Sequence, residues 1–126
     1  PDWAEPHNAL GKLYIDAGQN GEAAAVYERS LNLDVNQAAP HCGLGCLSRR
    51  AGRLQEALAE YRLAVDMEPG NPEAQTGLGE LLLETGQAQE AAAAFRRALQ
   101  VAPSSAQAWY GLGLARAAVG WPRYSA

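Results

Sequence analysis

Residues 78–98 read LGELLLETGQAQEAAAAFRRA. The opening Leu-Gly pair of this stretch recurs at residues 10–11, 44–45 and 112–113, so that successive pairs are always 34 residues apart. Three further columns of the stretch keep the same step, namely Gly18, Gly52, Gly86 and Gly120; Ala23, Ala57 and Ala91; and Tyr27, Tyr61 and Phe95. Similarity at one fixed period of this length is the sequence signature of a repeat architecture.

The repeats divide the chain into units that we number from residues 4, 38, 72 and 106. This gives three repeats, 4–37, 38–71 and 72–105, and a partial fourth repeat, 106–126. A unit of this size cannot bury its own apolar face, so its stability has to come from stacking on its neighbours. We therefore expect a single array over residues 1–126. Because the chain opens on a repeat boundary without an initial Met, we also expect a fragment of a larger protein.

Each unit has the periodicity of two helices. In the third unit, apolar or small residues occupy positions 3, 7, 8, 10, 11 and 14, which are Ala74, Leu78, Gly79, Leu81, Leu82 and Thr85. This spacing is typical of a helix with one wide buried face. Glycine at position 15 then predicts the end of that helix, and a second amphipathic segment follows from about position 18 to position 30. The sequence predicts an all-α chain of antiparallel helix pairs.

Composition excludes several classes of protein. The 126 residues carry a net charge of −4 with 48% hydrophobic and 19% charged residues, which is typical of a globular protein and unsuited to clustered phosphate contacts. We expect neither a nucleic-acid partner nor a membrane partner. Cys42 and Cys46 lie four residues apart on one predicted helix, which is poor geometry for a disulfide. Reduced thiols favour a cytoplasmic location, with the periplasm left open.

No constellation of residues predicts catalysis or a cofactor. Cys42, Cys46 and the neighbouring His41 do not supply four tetrahedral zinc ligands, so we predict no metal site. No Ser, His and carboxylate have the spacing of a triad, and every Gly-x-Gly belongs to the repeat, where it is interpreted as a packing device on a helix. His7 and His41 share position 4 with Trp109, and we expect them to pack against the neighbouring unit. We predict that the chain is not itself an enzyme.

The repeat resembles the tetratricopeptide repeat family. The residues that carry the resemblance are Tyr14, Ala23 and Tyr27 in the first unit, Leu78, Gly79, Ala91, Phe95, Ala98 and Pro103 in the third, and Trp109, Leu112 and Gly113 in the fourth. The resemblance implies a right-handed superhelical solenoid of antiparallel helix pairs, in which the first helices line a concave groove. It also implies a scaffold that binds an extended peptide or a helix of a partner protein in that groove.

The helical wheel leaves positions 2, 5, 9, 12 and 13 of each first helix free to face the groove. The predicted groove residues on this stripe are Asn8, Lys12, Ile15, Cys42, Cys46, Arg49, Arg50, Thr76, Glu80, Leu83, Glu84, Tyr110 and Leu114. We expect a bound segment whose acidic part lies near the lysine and arginines. Its basic part would lie near the two glutamates and an apolar side chain beside the tyrosine and the last leucine. The alternative is that these charges only solvate an exposed face.

Three other interpretations remain open. A chaperone-tail clamp within the family is disfavoured, because Glu73 stands where the clamp needs a cation. The run from Gly120 to Tyr124 is similar to one that closes repeat arrays joined to glycosyltransferases, so the chain could be the substrate-recruiting arm of such an enzyme. Finally, the fourth unit lacks a second helical segment, and exposed array ends would let copies associate into homo-oligomers or self-assembling scaffolds.

Overall fold

The computed structural model describes residues 4–120, and this part of the chain folds into seven α-helices without a strand. The helices are α1 (Ala4–Asp16), α2 (Asn20–Leu33), α3 (Ala38–Arg50), α4 (Leu54–Met67), α5 (Pro72–Glu84), α6 (Ala88–Val101) and α7 (Ala106–Gly120). The predicted all-α fold is confirmed. The first helices α1, α3, α5 and α7 begin at the residues from which the repeats are numbered.

A left-handed glycine ends the first helix of each complete repeat. Gly18, Gly52 and Gly86 have φ angles of 78°, 80° and 83°. At the first of these turns the Gly18 amide donates to the carbonyl of Ile15 at 3.0 Å, and the next amide donates to the carbonyl of Tyr14 at 2.8 Å. These bonds satisfy carbonyl groups that the helix end would leave unpaired. The glycine column therefore stops the helices where the sequence predicts.

Side chains in the linkers between repeats cap the helices that follow. The Asn71 side chain accepts a hydrogen bond from the backbone amide of Ala74 at 3.1 Å, and Pro72 occupies the first turn of α5. In the same way, Ser105 Oγ accepts from the amide of Ala108 at 3.2 Å at the start of α7. Proline suits this position because its missing N–H would have no intrahelical partner. The linker composition thus fixes where the third and fourth repeats begin.

The helices group into two compact units, Pro1–Pro69 and Gly70–Ala126. In the first unit, α1 packs against α2 and α3, α2 also contacts α3, and α3 packs against α4. In the second unit, α5 packs against α6 and α7, and α6 also contacts α7. Each helix contacts only its near neighbours along the sequence within its unit, which is the pattern expected of stacked repeats.

In both units the core is built around an aromatic ring held between two glycines. Phe95 of α6 is fully buried, and a Cβ atom on Gly79 would lie 2.8 Å from its Cζ atom. A Cβ on Gly111 of α7 would also collide with this ring. In the first unit, the ring of Tyr27 lies in the same way between glycines 11 and 43. Of the glycines in the Gly-x-Gly pairs, Gly43, Gly45, Gly79 and Gly111 lie against an aromatic ring as interpreted, whereas a Cβ on Gly113 would meet no atom within 4 Å.

The outward side of α1 departs from the sequence prediction. Leu10 and Leu13, at positions 7 and 10, were expected in the buried face, but both side chains are exposed. Their counterparts in α5, Leu78 and Leu81, are buried. Equivalent positions of the repeat are therefore buried to different extents in α1 and α5.

Candidate protein-binding surfaces

In the second unit, two neighbouring first helices bring residues of the predicted stripe together. The Gln107 side chain of α7 donates to Glu80 Oε2 of α5 at 2.7 Å, which joins position 2 of one first helix to position 9 of the preceding one. Leu83 and Glu84 lie on the same side of α5 as Glu80, because residues three or four apart share a helix face. We call the surface formed by Glu80, Leu83, Glu84, Tyr110 and Leu114 the acidic surface.

The acidic surface combines carboxylates with exposed apolar groups. Tyr110 is 71% exposed and Leu114 is 45% exposed, whereas Leu83 is half-buried. Glu84 is exposed and Glu80 is half-buried next to Gln107. Aromatic side chains are usually buried in folded proteins. The exposed ring of Tyr110 therefore offers a partner protein a large apolar contact area.

In the first unit, the basic residues of the stripe lie on α1 and α3, which contact each other. Lys12 and Arg50 are exposed and Arg49 is half-buried. Arg50 Nη1 donates to the backbone carbonyl of Ile15 at 3.1 Å and to Asn20 Oδ1 at 3.4 Å. The guanidinium thus lies at the C-terminal end of α1, where the partial negative charge of the helix favours a cation. We call Lys12, Arg49 and Arg50 the basic surface.

Three residues of the predicted stripe are buried, so their assignment to a free groove face is wrong. Cys42 is 2% exposed, and Ile15 and Thr76 are also buried. Ile15 packs in a cluster with Ala23 and Tyr27 of α2, because position 12 of α1 faces the second helix of its repeat. None of the three has surface left for a ligand.

Cys42 and Thr76 share position 5 with Asn8, whose contacts explain why this position is covered. Asn8 Nδ2 donates to Gln37 Oε1 at 2.8 Å, and Ser30 Oγ donates to Asn8 Oδ1 at 2.7 Å. The side chain at position 5 of the first repeat thus faces residues near the C-terminal end of that repeat.

Asn8 is therefore held in an internal polar network. Gln37 Nε2 extends this network by donating to the backbone carbonyl groups of Ser30, at 2.9 Å, and Asp34, at 2.7 Å. The repeat pattern does not predict Ser30 and Gln37 as partners of Asn8. The available signal was Ser30 itself, which replaces the small apolar Ala64 and Ala98 of the later repeats.

His41 also differs from its expected packing against the neighbouring unit. Its Nδ1 atom lies 2.7 Å from Glu60 Oε1, which links α3 to α4 within one repeat. The two side chains are 13% and 28% exposed, so the pair is largely shielded from water.

The two cysteines are chemically separate. Neither Cys42 nor Cys46 forms a disulfide, and Cys46 is half-buried against the cluster around Ile15 and Tyr27. Within residues 4–120, no three His, Cys, Asp or Glu side chains come together as a metal site would require. In the same part of the chain, no helix combines the length and the apolar character needed to cross a bilayer.

Comparison with protein families assigns the fold to a family. The model of the tetratricopeptide repeat matches residues 8–72, 42–106 and 76–120. The chain belongs to the tetratricopeptide repeat family. The three overlapping matches follow the 34-residue step of the sequence, and together they span residues 8–120, from within α1 to the end of α7. No curated protein sequence gives a significant match to this chain.

Solved structures with the same fold include tetratricopeptide domains of different proteins. The first such domain of Spaghetti (RPAP3), bound to the HSP90 peptide SRMEEVD, has a TM-score of 0.84 at 19% identity, and 94% of each chain is covered. A crystal structure of MamA has a TM-score of 0.79 at 24% identity and covers 95% of this chain. The chain spans 66% of that MamA chain, which is just under two thirds of its length.

A third similar structure belongs to an enzyme. A mutant of the O-GlcNAc transferase of Thermobaculum terrenum has a TM-score of 0.83 at 22% identity over 90% of this chain, which corresponds to 22% of the transferase chain. These identities establish a shared fold. The tetratricopeptide fold is that of a protein-interaction module. Because a fold does not determine which partner is bound, the function of this chain has to be argued from its own surfaces.

Proposed function

We propose that this tetratricopeptide array is a non-catalytic scaffold that binds extended segments of a partner protein. The observation that carries the proposal is the acidic surface, where Tyr110 and Leu114 are exposed on α7 and a hydrogen bond from Gln107 joins this helix to Glu80 of α5. We propose that this surface binds a segment that pairs basic residues with an apolar side chain.

The apolar part of the acidic surface supplies most of the expected affinity. Exposed charge pairs contribute little, about 0 to 1 kcal/mol each, because water screens them. An aromatic residue that becomes buried at an interface is a frequent hot spot, and its truncation costs about 2 kcal/mol or more. We therefore assign affinity to Tyr110 and selectivity for a basic segment to Glu80 and Glu84.

The basic surface of the first unit supports a second recognition element. Arg50 is held by the carbonyl of Ile15, so its side chain loses less freedom when a ligand binds. Together with Lys12 and Arg49 it favours an acidic segment. The peptide SRMEEVD bound by Spaghetti is acidic, but this chain has Glu73 where the chaperone clamp of the family needs a cation. We therefore propose an acidic segment of another kind.

Binding of labelled peptides tests the acidic surface. The probe is a fluorescein-labelled, unstructured peptide with paired lysines on both sides of a leucine, and the control peptide has glutamates in place of the lysines. We expect Tyr110→Ala to weaken binding of the lysine peptide by about tenfold or more. Glu84→Lys should weaken it by a smaller factor, because exposed charge pairs contribute little. Glu28→Lys, an equally exposed charge reversal on α2, serves as the matched control. Equal affinities for all variants, or for both peptides, would contradict the proposal.

A second measurement tests the basic surface independently. A glutamate-rich peptide is titrated against Lys12→Glu and Arg49→Glu, with Arg29→Glu on α2 as the control. We expect the first two reversals to reduce affinity, with an effect that shrinks as salt rises, because the contact is electrostatic. A peptide affinity unchanged by both reversals would show that these charges only solvate the surface.

The second candidate function is recruitment of substrates to a larger enzyme. It is favoured by the structural similarity to the O-GlcNAc transferase and by the run from Gly120 to Tyr124, whose last four residues lie outside the described residues. Sequencing of the parent gene beyond Ala126 would decide between the two. For either function we propose a reducing, cytoplasmic setting, supported by the two free thiols, with the periplasm as the alternative.

A further inference from the structure

An open cleft of about 360 Å³ lies in the second unit, beside the turn between α5 and α6. One wall is formed by residues 86–90, which make up this turn and the first residues of α6. Ala118 and Val119 near the end of α7 form the other wall. Because Ala118 contributes only a methyl group, the space between the turn and α7 stays open. We call this space the turn cleft.

In the first unit, an arginine occupies the equivalent place. Ala118 stands at position 13 of its repeat, and the residue at position 13 of the second repeat is Arg50. Arg50 Nη1 donates to the carbonyl of Ile15 at 3.1 Å and to Asn20 Oδ1 at 3.4 Å. These two acceptors lie on either side of the turn between α1 and α2, which corresponds by repeat position to the turn between α5 and α6. The turn cleft is thus the place that a guanidinium group fills in the first unit.

The two turns also share their backbone geometry. Gly18 and Gly86 have φ angles of 78° and 83°. Their amides donate to the carbonyl groups of Ile15 at 3.0 Å and of Leu83 at 3.1 Å. A carbonyl oxygen has two lone pairs, which lets the Ile15 oxygen accept from Arg50 as well. The Leu83 carbonyl is the corresponding acceptor beside the turn cleft.

The charges around the turn cleft favour a cation. The C-terminal end of α5 carries partial negative charge, and the exposed Glu84 in its last turn adds a full one. The start of α6 carries partial positive charge, which Glu90 in its first turn offsets. Glu22 occupies the same repeat position as Glu90 in the turn that holds Arg50. The electrostatic setting that accepts a guanidinium in the first unit is therefore repeated in the second.

The polar groups of the turn suit a guanidinium better than an ammonium group. Gln87 Nε2 donates to Thr85 Oγ1 at 3.2 Å, so the donor end of this side chain is engaged within the turn and its carbonyl end is left to accept. A guanidinium presents several N–H groups in one plane and can reach separate acceptors at once. An ammonium group is a compact, strongly hydrated charge that loses more water on entering a cleft.

The turn cleft continues the acidic surface along α7. Tyr110, Leu114 and Ala118 follow one another at intervals of four residues and so share one face of the helix. The last two are separated by about 6 Å along the helix axis. An extended segment advances about 3.3 Å per residue, and its side chains two residues apart point to the same side. One extended segment can therefore place an apolar side chain at Leu114 and, two residues away, a basic side chain in the turn cleft.

We propose that the turn cleft binds the guanidinium group of an arginine, which lies two residues from the apolar side chain in the basic segment bound by the acidic surface. The guanidinium donates to the carbonyl of Leu83, as Arg50 donates to the carbonyl of Ile15. This assignment rests on the function proposed for the acidic surface and specifies its ligand.

Filling the turn cleft from within the chain tests whether it accepts a guanidinium. Ala118→Arg introduces an arginine at the position of Arg50, on an exposed helical site that tolerates the longer side chain. The amide of Gln87 donates to the carbonyl of Leu82 at 2.7 Å, so its hydrogen exchange reports the integrity of the turn. We expect Ala118→Arg to slow this exchange by about threefold or more, because the turn gains a hydrogen bond.

Two further variants separate the guanidinium contact from the added charge. Ala117→Arg adds the same charge on a neighbouring exposed residue that does not line the turn cleft. We expect it to leave the exchange of Gln87 unchanged. Ala118→Lys should slow the exchange less than Ala118→Arg does.

A pair of peptides with identical composition tests the ligand. Both are labelled with fluorescein and have Gly-Ser ends, and their central sequences are RKLKR and KRLRK. The first places arginine two residues from leucine on either side, whichever way the peptide runs. We expect the wild-type chain to bind it about threefold to tenfold more tightly than the second. Ala118→Arg should abolish this preference, whereas Ala117→Arg should retain it.

The outcomes distinguish the arginine assignment from the function on which it rests. Unchanged exchange of Gln87 in Ala118→Arg, or a preference for RKLKR that this variant retains, would overturn the assignment. Equal binding of the two peptides, with both still weakened by Tyr110→Ala, would also overturn it and leave the proposed function standing. Binding of neither peptide would contradict both.

Discussion

The ring of Phe95 rests on the backbone of Gly79, so closely that a Cβ atom there would lie 2.8 Å from the ring carbon Cζ. The ring cannot move aside, because Gly111 of α7 bounds its other face and the side chain is fully buried. The glycine of the leucine-glycine pair thus forms one side of a contact between two helices. The aromatic residue of the second helix forms the other side. The spacing of the two columns in the sequence reflects one helix crossing.

This contact predicts opposite effects for two identical substitutions. Gly79→Ala should lower the free energy of unfolding by about 1 to 3 kcal/mol, because the methyl group overpacks a rigid ring. Gly113→Ala should raise it by about 0.5 to 1 kcal/mol, because the same change improves helix propensity where space is open. Urea titration followed by circular dichroism measures both changes. Equal effects of the two variants would contradict the assigned crossing.

The glycines that end the first helices should respond for a different reason. Gly86 has a φ of 83° and no atom within 4 Å of a Cβ built on it, so its cost on substitution is conformational. Gly86→Ala should destabilise the chain by about 1 to 2 kcal/mol, because a side chain disfavours the left-handed region.

Gly21 is the matched control for this conformational effect. It lies in α2 with equally open surroundings and without a positive φ. Gly21→Ala should be stabilising by up to about 1 kcal/mol. Comparison of the thermal midpoints of the two variants tests the distinction, and a loss of stability in Gly21→Ala would contradict it.

The sequence predicts the glycine turns and the ring contacts well because each repeat shows the same pattern independently. A residue type that recurs at a fixed step has to satisfy the same local geometry each time, as the glycine turns and the ring contacts do. Helix type, helix starts and the contact between the Leu-Gly glycines and the aromatic residues in the three complete repeats could therefore be derived from the sequence alone. The family match confirms the fold that they imply.

The groove residues were less predictable, because a helical wheel does not show how far a neighbouring segment extends. Position 5 is free on the wheel, yet Asn8 there is bonded to Ser30 and Gln37, and Cys42 at the same position is buried. Tyr110 occupies this position too, and it is 71% exposed. The exposure of a side chain at position 5 thus depends on its contacts with other segments. The periodicity of the sequence does not reveal these contacts.

The polar network around Ser30 should make this residue more sensitive than its alanine counterparts suggest. Ser30→Ala removes the donor to Asn8 Oδ1 in a fully buried place, and we expect a loss of about 1 to 2 kcal/mol of stability. Ser104→Ala, in the exposed linker before α7, is the control and should change stability by less than about 0.5 kcal/mol. Chemical denaturation of both variants would show no difference if the network were unimportant.

The two cysteines should react with thiol reagents at different rates. Cys46 is half-buried and Cys42 is 2% exposed, so a bulky disulfide reagent should reach Cys46 first. We expect one fast and one slow thiol in the folded chain and two fast thiols in denaturant. Cys46→Ser should remove the fast phase, and Cys42→Ser should remove the slow one. Loss of the fast phase in Cys42→Ser would show that Cys42 is accessible to solvent, as its assignment to the groove required.

Arg50 and Arg53 allow a last comparison between two exposed cations on neighbouring segments. Arg50 donates to the carbonyl of Ile15 and to Asn20, whereas Arg53 Nη1 lies 4.0 Å from Oε2 of the exposed Glu56. Arg50→Ala should therefore cost about 0.5 to 1.5 kcal/mol, since it frees the C-terminal end of α1. Arg53→Ala should cost less than about 0.5 kcal/mol, because exposed pairs of this kind contribute little.

Hydrogen exchange locates the effect of Arg50. The amide of Gln19 donates to the carbonyl of Tyr14 in the turn after α1, so its exchange reports the integrity of that turn. We expect faster exchange of Gln19 in Arg50→Ala and an unchanged rate in Arg53→Ala. Arg50→Lys should fall between them, because an ammonium group cannot reproduce the forked contact of a guanidinium. Equal exchange rates in all three variants would show that Arg50 does not stabilise the end of α1, and its side chain would then lack the preorganisation that favours ligand binding.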